Sequence, residues 1–463
     1  MTRPDPARVL GEAGAMIRLA LPLITGQLAA VGMSTVDALL AGHYSAHVLA
    51  AVAIGSSLWS LAVVTTIGVL MAMQPSMAQL IGAGKLDQVG PLFRQSWWLA
   101  AVLGVGLLLF VREGAPLLMR GMGVDPSLWP QITAFLHAVA WGMPALAFYF
   151  TLRGVSEGLG HTRPTMYFGF LGLALLAPVG YVLMFGKLGL PPQGARGSGM
   201  ATAIIWWIDL LAFVVYARRA KVYQDLHLFR RPPWPDWIKL AALLRLGLPM
   251  AVSLMMEMGL FVAAALAIGR LGIDPEASHQ IALNVASLTF MVPLGMSMAI
   301  TVRIGFAVGR GDVSAIRYAG FTGIGLTLLT QSLSTALMLS IPHGIAGLYT
   351  DNVRVVALAA QLLILAGLFQ FSDGIQVASA GALRGLKDTR IPMFITMFAY
   401  WVVGFPLGLW FAFGRGLGAR GVWMGLISGL SMAALLLFTR FYLHARRPLL
   451  VGLLADDANH QLG

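Results

Sequence analysis

Apolar residues gather along this chain in windows close to the roughly 20 residues that a helix needs to cross a bilayer, separated by short polar breaks. The windows fall at about 17–41, 48–73, 95–115, 131–152, 165–186, 199–217, 246–269, 279–302, 318–341, 355–382, 391–413 and 421–441. Lipid offers no partner for backbone N–H and C=O groups, so each window is predicted to be a membrane-spanning helix. The longest polar break, ARRAKVYQDLHLFRRPPWPDWIK (217–239), leaves six windows on either side. The pattern predicts an all-α integral membrane protein of twelve helices. Its expected domains are an N-terminal six-helix lobe (17–217), a linker (218–242), a C-terminal six-helix lobe (243–442) and a tail (443–463).

The two halves repeat. LALP at 19–22 answers LGLP at 246–249, and GLGHTRPTM (158–166) answers GLKDTRIPM (385–393), both at an offset of 227. GARGSGM (194–200) answers GARGVWM (418–424) at an offset of 224. Ordered matches at a nearly constant offset indicate duplication. An even number of spans per half keeps both halves in one orientation, which predicts parallel repeats about an axis along the membrane normal.

Composition sharpens the picture in three ways. Only 11% of residues are charged, against about 25% in soluble domains, and the mean hydropathy is +0.79. There is no cysteine, which excludes disulfides, thiolate zinc sites and a cysteine nucleophile. The first apolar stretch follows TRPDPARVLGEAGAMIR without a signal-peptidase-type ending and is expected to stay as the first span.

The net charge of +12 suggests nucleic acid until its distribution is read. With both termini in the cytoplasm, 23 of the 31 Lys and Arg fall on the inside and 8 on the outside. That is the positive-inside asymmetry of a polytopic membrane protein, and it leaves no nucleic-acid footprint.

Three carboxylates lie inside spans: Asp37, Glu257 and Asp373. An Asp at the centre of a spanning helix costs on the order of 3 kcal/mol, so such residues face a protein interior or a watery cavity. No Lys or Arg shares the apolar stretches around them, and together they suggest a cation pathway. A fourth acid, Asp209, precedes Arg218 and Arg219 by about two turns and is expected to snorkel towards them or pair with them, with a role in transport as the alternative. Gln280 and Asn284 share a helix face, where with His279 they are expected to form a polar clasp between helices or to contribute to the site. Arg153, Glu157, Arg303 and Arg384 flank the short links and are expected to serve topology, with gating as the alternative. The methionines Met250, Met255, Met256, Met258, Met291, Met296 and Met298 are expected to fill the core, with a re-packable surface for varied ligands as the alternative. No metalloprotease, nucleophile-elbow or nucleotide-binding motif occurs, so no enzyme and no cofactor is expected, and energy must come from an ion gradient.

Three strings carry a resemblance: VDALLAGHYSAHVLAAVAIGSSLW (36–59), ASHQIALNVASLTFMVPLGMSMAITVRIGFAVG (277–309) and DGIQVASAGALRGLKDTRIPMF (373–394). Taken together and in order, they resemble the multidrug and toxic compound extrusion (MATE) family in its bacterial NorM branch, over Leu19 to Tyr442. The resemblance implies two six-helix lobes forming a V, and antiport of cationic or lipophilic drugs against H⁺ or Na⁺. It also implies roles for Asp37, Glu257 and Asp373, with Na⁺ held by Glu257 and Asp373. Two departures stand out. Phe369 occupies the place one turn before Asp373 where Na⁺-binding members often carry Tyr, and 171–186 lacks the family's Asn. Losing neutral oxygens tilts the expectation towards protons. The alternative within the superfamily is a flippase for lipid-linked precursors, whose anionic cargo would want basic residues where this chain is acidic. The chain is expected to work as a monomer, with small drugs and membrane lipid as its partners.

Orientation is open to direct test, since single cysteines can be placed in a native cysteine-free chain. Cysteine at Gly189 should react with an impermeant maleimide from outside and cysteine at Gln224 should not. The opposite labelling would reverse the topology.

Overall fold

The computed structural model describes residues 5–121 and 124–446. Among the described residues, twelve helices are long and apolar enough to cross a membrane. They are α1 (Pro6–Tyr44), α2 (Ala46–Gly82), α3 (Leu86–Gly121), α4 (Pro126–Gly158), α5 (Arg163–Phe185), α6 (Gly194–Arg219), α7 (Trp237–Gly269), α8 (Ile273–Gly309), α9 (Val313–Ser340), α10 (Val353–Gly385), α11 (Arg390–Gly414) and α12 (Ala419–Arg446). No strand occurs among the described residues. The helical architecture expected from the sequence is observed. Most of the expected tail, 447–463, lies outside the described residues.

Helix ends follow local chemistry. Ser45 caps α2 by accepting from the Val48 amide, Asp312 caps α9 through Ala315, and Asn352 caps α10 through Arg354. Gly186 ends α5 at φ 68, and a side chain there would lie 2.4 Å from the Pro192 nitrogen. Lipid replaces water outside, so the outer faces are apolar: Leu329, Leu333 and Leu337 of α9, spaced by four, are all exposed.

The described chain forms two compact units. One runs Thr25–Ala251, and the other joins the residues up to Ile24 with those from Val252 onward. The boundaries therefore fall inside α1 and α7, two residues after Pro22 and Pro249, rather than in the polar break between the halves. A proline within a helix removes an i→i−4 hydrogen bond and kinks it, which suits a helix that changes partners midway. Met16, Ala20 and Leu23 of α1 pack with Met296, Ile300 and Phe441 of α8 and α12. Leu240, Leu243, Leu246 and Met250 of α7 pack with Val69, Leu92 and Phe213 of α2, α3 and α6. The early section of each half thus belongs to the core of the other.

The segment read as a linker is itself packed. Tyr223, Leu226 and Leu228 are buried in the core of the Thr25–Ala251 unit. Arg94 Nη1 donates to the His227 carbonyl (2.7 Å), Gln95 Nε2 to that of Trp234 (2.9 Å), and Trp98 Nε1 to that of Pro233 (2.9 Å).

Close approach of α11 and α12 depends on glycine. A Cβ on Gly425 would lie 2.2 Å from the Gly408 Cα. Small residues of this kind let membrane helices touch through their backbones. Gly425→Ala is expected to destabilise the protein by about 1–3 kcal/mol, as overpacking does. Gly325→Ala, where nothing lies within 4 Å, should leave thermal unfolding in detergent unchanged. Equal melting of the two variants would show that the contact is not limiting.

Candidate functional site

Each unit holds embedded acid. In the Thr25–Ala251 unit, Asp37 of α1 accepts hydrogen bonds from Ser198 Oγ and Thr202 Oγ1 of α6, both at 3.2 Å. Ser198 and Thr202 lie four apart on one helical face, so two hydroxyls converge on one carboxylate. The sequence reading sought neutral oxygens in α5 and found none; α6 supplies them. The signal was present in GARGSGMATA, where Ser and Thr recur at helical spacing, but hydroxyls are common in packed membrane helices.

Asp209 departs from its expected role. It is only 3% exposed and makes no ion pair with Arg218 or Arg219. One carboxylate oxygen, Oδ2, rests where a Cβ on Gly172 of α5 would be, at 2.7 Å, and the other, Oδ1, has no hydrogen-bond partner. Snorkelling fails for a steric reason. Gly172 opens a notch at the level of Asp209, and a short Asp side chain cannot reach from there past two helical turns. Arg218 instead stacks over Phe229 at 5.1 Å.

In the other unit, Glu257 of α7 and Asp373 of α10 line one cavity of about 330 Å³. Its remaining walls are largely apolar, with Met258, Phe261, Leu283 and Phe290 among them, together with Gln280, Ser287 and Phe369. No basic residue lines it. Phe369 lies edge-on to Phe261 and Trp423 and gives no oxygen. Behind Asp373, Gln370 donates to Thr289 Oγ1 (2.5 Å) and accepts from Gln331.

Of the expected clasp, Gln280 faces the cavity and donates to Glu276 on its own helix (2.7 Å). Asn284 lies apart from the cavity lining and accepts from the Tyr349 hydroxyl (2.9 Å). His279 is buried and accepts from Trp423 Nε1 (3.2 Å). Met258 lines the cavity, whereas Met250, Met296 and Met298 are buried.

Sequence reasoning missed Tyr400. It sits in a π-helical stretch of α11, Phe398–Gly404, fully buried, within electrostatic range of both Glu257 and Asp373. Its hydroxyl has no hydrogen-bond partner. Nothing in FITMFAYWVVG sets this mid-span tyrosine apart from its aromatic and apolar neighbours; only the packing of α11 reveals it.

The residues weighed for gating are mostly tied into buried pairs. Arg153 Nε bonds Glu157 Oε1 at 2.6 Å, and Glu157 also accepts from Gln74 and Thr165 at 3.0 Å. Arg303 holds Glu12 with two bonds of 2.7 and 2.5 Å. Arg384 donates to Ser297 Oγ. Outside the spans, Asp388 is gripped by Arg440 (2.5 Å) and His444 (3.3 Å). Burial opposes its charge, but those hydrogen bonds and charges outweigh it and hold the carboxyl below its usual range.

The profile of the MatE family matches residues 22–182 and again 249–410, two matches starting 227 residues apart, which is the offset of the sequence repeats. The chain is 50% identical to a probable multidrug resistance protein NorM of Xanthomonas axonopodis pv. citri, over 93% of each chain. It is 39% identical to the multidrug resistance protein MdtK of Yersinia enterocolitica, over 94% of this chain and 96% of that one. Its fold matches the crystal structure of the eukaryotic MATE transporter AtDTX14 with a TM-score of 0.85 at 18% identity, covering 98% and 100% of the two chains. An outward-facing multidrug resistance MATE family transporter matches at 0.84 and 21%, covering 96% and 99%. Two profile matches over most of the chain, full-length relatives and twelve spanning helices agree: the chain belongs to the MatE family, a family of membrane transport proteins and not of enzymes.

Proposed function

We propose that this chain is a multidrug efflux antiporter of a bacterial inner membrane, with both termini in the cytoplasm. It exports lipophilic organic cations against an inward flow of H⁺, works as a single chain in lipid, and needs no cofactor. The observation that carries this reading is the cavity where Glu257 and Asp373 meet among apolar and aromatic side chains. Such a lining suits a cation with a greasy body: carboxylates supply the charge, and methionine and phenylalanine supply an adaptable surface. The names of the multidrug resistance relatives support the same class of cargo. An anionic lipid-linked precursor would meet two carboxyl groups and no basic residue in the cavity lining, with Arg384 behind Glu257 bonded to Ser297, so the flippase reading gains no support here.

For the coupling ion, the two units argue differently. Asp37 lies within the spans with no cation beside it, so a proton is the counter-charge at hand, and the Ser198 and Thr202 hydroxyls hold the carboxylate once that proton has left. Glu257 and Asp373 face one cavity with Gln280 and Ser287 in its lining, so that unit offers carboxylate and neutral oxygens although Phe369 gives none. Na⁺ is a hard cation that takes oxygen ligands, and the two carboxylates of this cavity supply them. Protons therefore drive turnover through Asp37, and Na⁺ competes at Glu257 and Asp373. Binding of either ion requires a deprotonated carboxylate, so competition follows.

Three outcomes are expected in proteoliposomes. An inward proton gradient without sodium should drive antiport of a cationic dye; a strict need for sodium would refute proton coupling. Glu257→Gln and Asp373→Asn should each slow export by more than about tenfold, equivalent to about 1.4 kcal/mol of barrier, while inserting normally. Wild-type export by both would remove the cavity acids from the mechanism. Asp37→Asn should stop turnover by holding the protonated form, and retention of the wild-type pH profile would make that carboxyl structural.

A further inference from the structure

The cavity and Asp37 leave one buried acid unused. Asp209 lies on the same face of α6 as Ser198 and Thr202, since 11 and 7 residues each return close to a whole number of turns. That face meets α1 at Asp37 and, two turns further on, meets Gly172 of α5 and Met33 of α1 at Asp209. Met33 precedes Asp37 by one turn of α1, so both carboxyls lie along one seam between α1, α5 and α6. The seam is otherwise apolar, with Val36, Leu176 and Ile205 among its walls.

Beyond Asp209 the polar groups continue. Tyr149 of α4 is buried and within electrostatic range of Asp209, Arg153 and Glu157. Arg153, Glu157, Gln74 and Thr165 then form the bonded cluster at the ends of α4, α2 and α5, on the face that the Lys and Arg distribution marks as cytoplasmic. The groups facing Asp209 can be stated element by element. From α4 comes Tyr149, from α1 Asp37 along the seam, and from α5 Gly172, Tyr167 and Tyr181 being exposed. Helix α2 contains no Asp, Glu, Lys, Arg or Tyr.

A structural carboxyl in such a place would be held by hydrogen bonds, as buried polar groups generally are. Here Oδ1 has no partner and glycine makes room for Oδ2. We propose that Asp209 is a proton relay, taking the proton from Asp37 and passing it by way of Tyr149 towards the Arg153–Glu157 cluster and the cytoplasm. The inference rests on the proton reading of Asp37. The span from Thr202 to Asp209 is about 10 Å, from seven residues at 1.5 Å each, so the first hop uses water admitted to the seam. Protonated Asp37 gives its proton to that water and becomes a carboxylate, and the water gives one to the Asp209 carboxylate, which becomes neutral. Asp209 then passes its proton through water to the Tyr149 oxygen while Tyr149 releases its own hydrogen to water at the cluster, so Asp209 and Tyr149 return to their starting states and Asp37 is left as the carboxylate that takes up the next proton.

The test uses the full chain. Asp209→Asn, of nearly equal shape, should bind a cationic dye in detergent with wild-type affinity and wild-type pH dependence. In proteoliposomes its proton-driven turnover should fall by about tenfold or more, with a larger solvent deuterium isotope effect, and Asp209→Glu should recover much of the rate. Wild-type turnover by Asp209→Asn, while the unmodified protein responds to a proton gradient, overturns the relay and leaves the proton reading intact. If the unmodified protein ignores a proton gradient, both fall together. Should Asp209→Asn fail to insert, Tyr149→Phe keeps the ring packing and removes only the hydroxyl. Slower turnover with unchanged dye binding supports the route, and an unchanged rate overturns it.

Discussion

A charge in hydrocarbon is the constraint around which this molecule is arranged. A carboxylate at membrane depth must turn inward, find hydroxyls or another polar neighbour, or be neutralised. The three outcomes are visible at different sites. Asp37 takes two hydroxyls from α6. Glu257 and Asp373 share a cavity that keeps them away from lipid. Glu157 is matched by Arg153 and further bonded by Gln74 and Thr165. The outward faces can then be almost wholly apolar, while glycines at positions such as Gly425 bring the backbones together.

Much of this was legible in the sequence because the membrane imposes simple rules. Span-length windows gave the twelve helices, and the cost of burying charge picked out Asp37, Glu257 and Asp373 without reference to any relative. What stayed hidden depends on which side chains meet across helices. Tyr400 carries no local mark of its position, since it stands mid-span among other aromatic and apolar residues. Ser198 and Thr202 are unremarkable until Asp37 is seen against them. Asp209 was misread because distance along the chain to Arg218 and Arg219 was weighed, whereas the notch at Gly172 lies on another helix.

The extent of the compact units was hidden for a related reason. Composition marks the polar break at 217–239, yet that segment is pinned to α3 through Arg94, Gln95 and Trp98. The prolines of the repeats LALP and LGLP stand two residues before Ile24 and Ala251, where the chain passes from one compact unit to the other. Hydropathy is blind to such a change of partner: both sections of α1 are helical and apolar, and only their contacts differ.

The exchange of these early sections has a consequence for how the protein is made. Glu12 leaves the ribosome with the first helix, but its partner Arg303 lies 291 residues later in the chain. At translation rates of about 5–20 residues per second, the start of α1 must wait on the order of 15–60 s before its own core exists. The section of α7 that completes the first unit likewise arrives only after six helices have been inserted. Neither half can therefore finish folding as it emerges. Maturation of each core is tied to synthesis of the other, and a chain truncated between them would leave two incomplete interiors in the membrane.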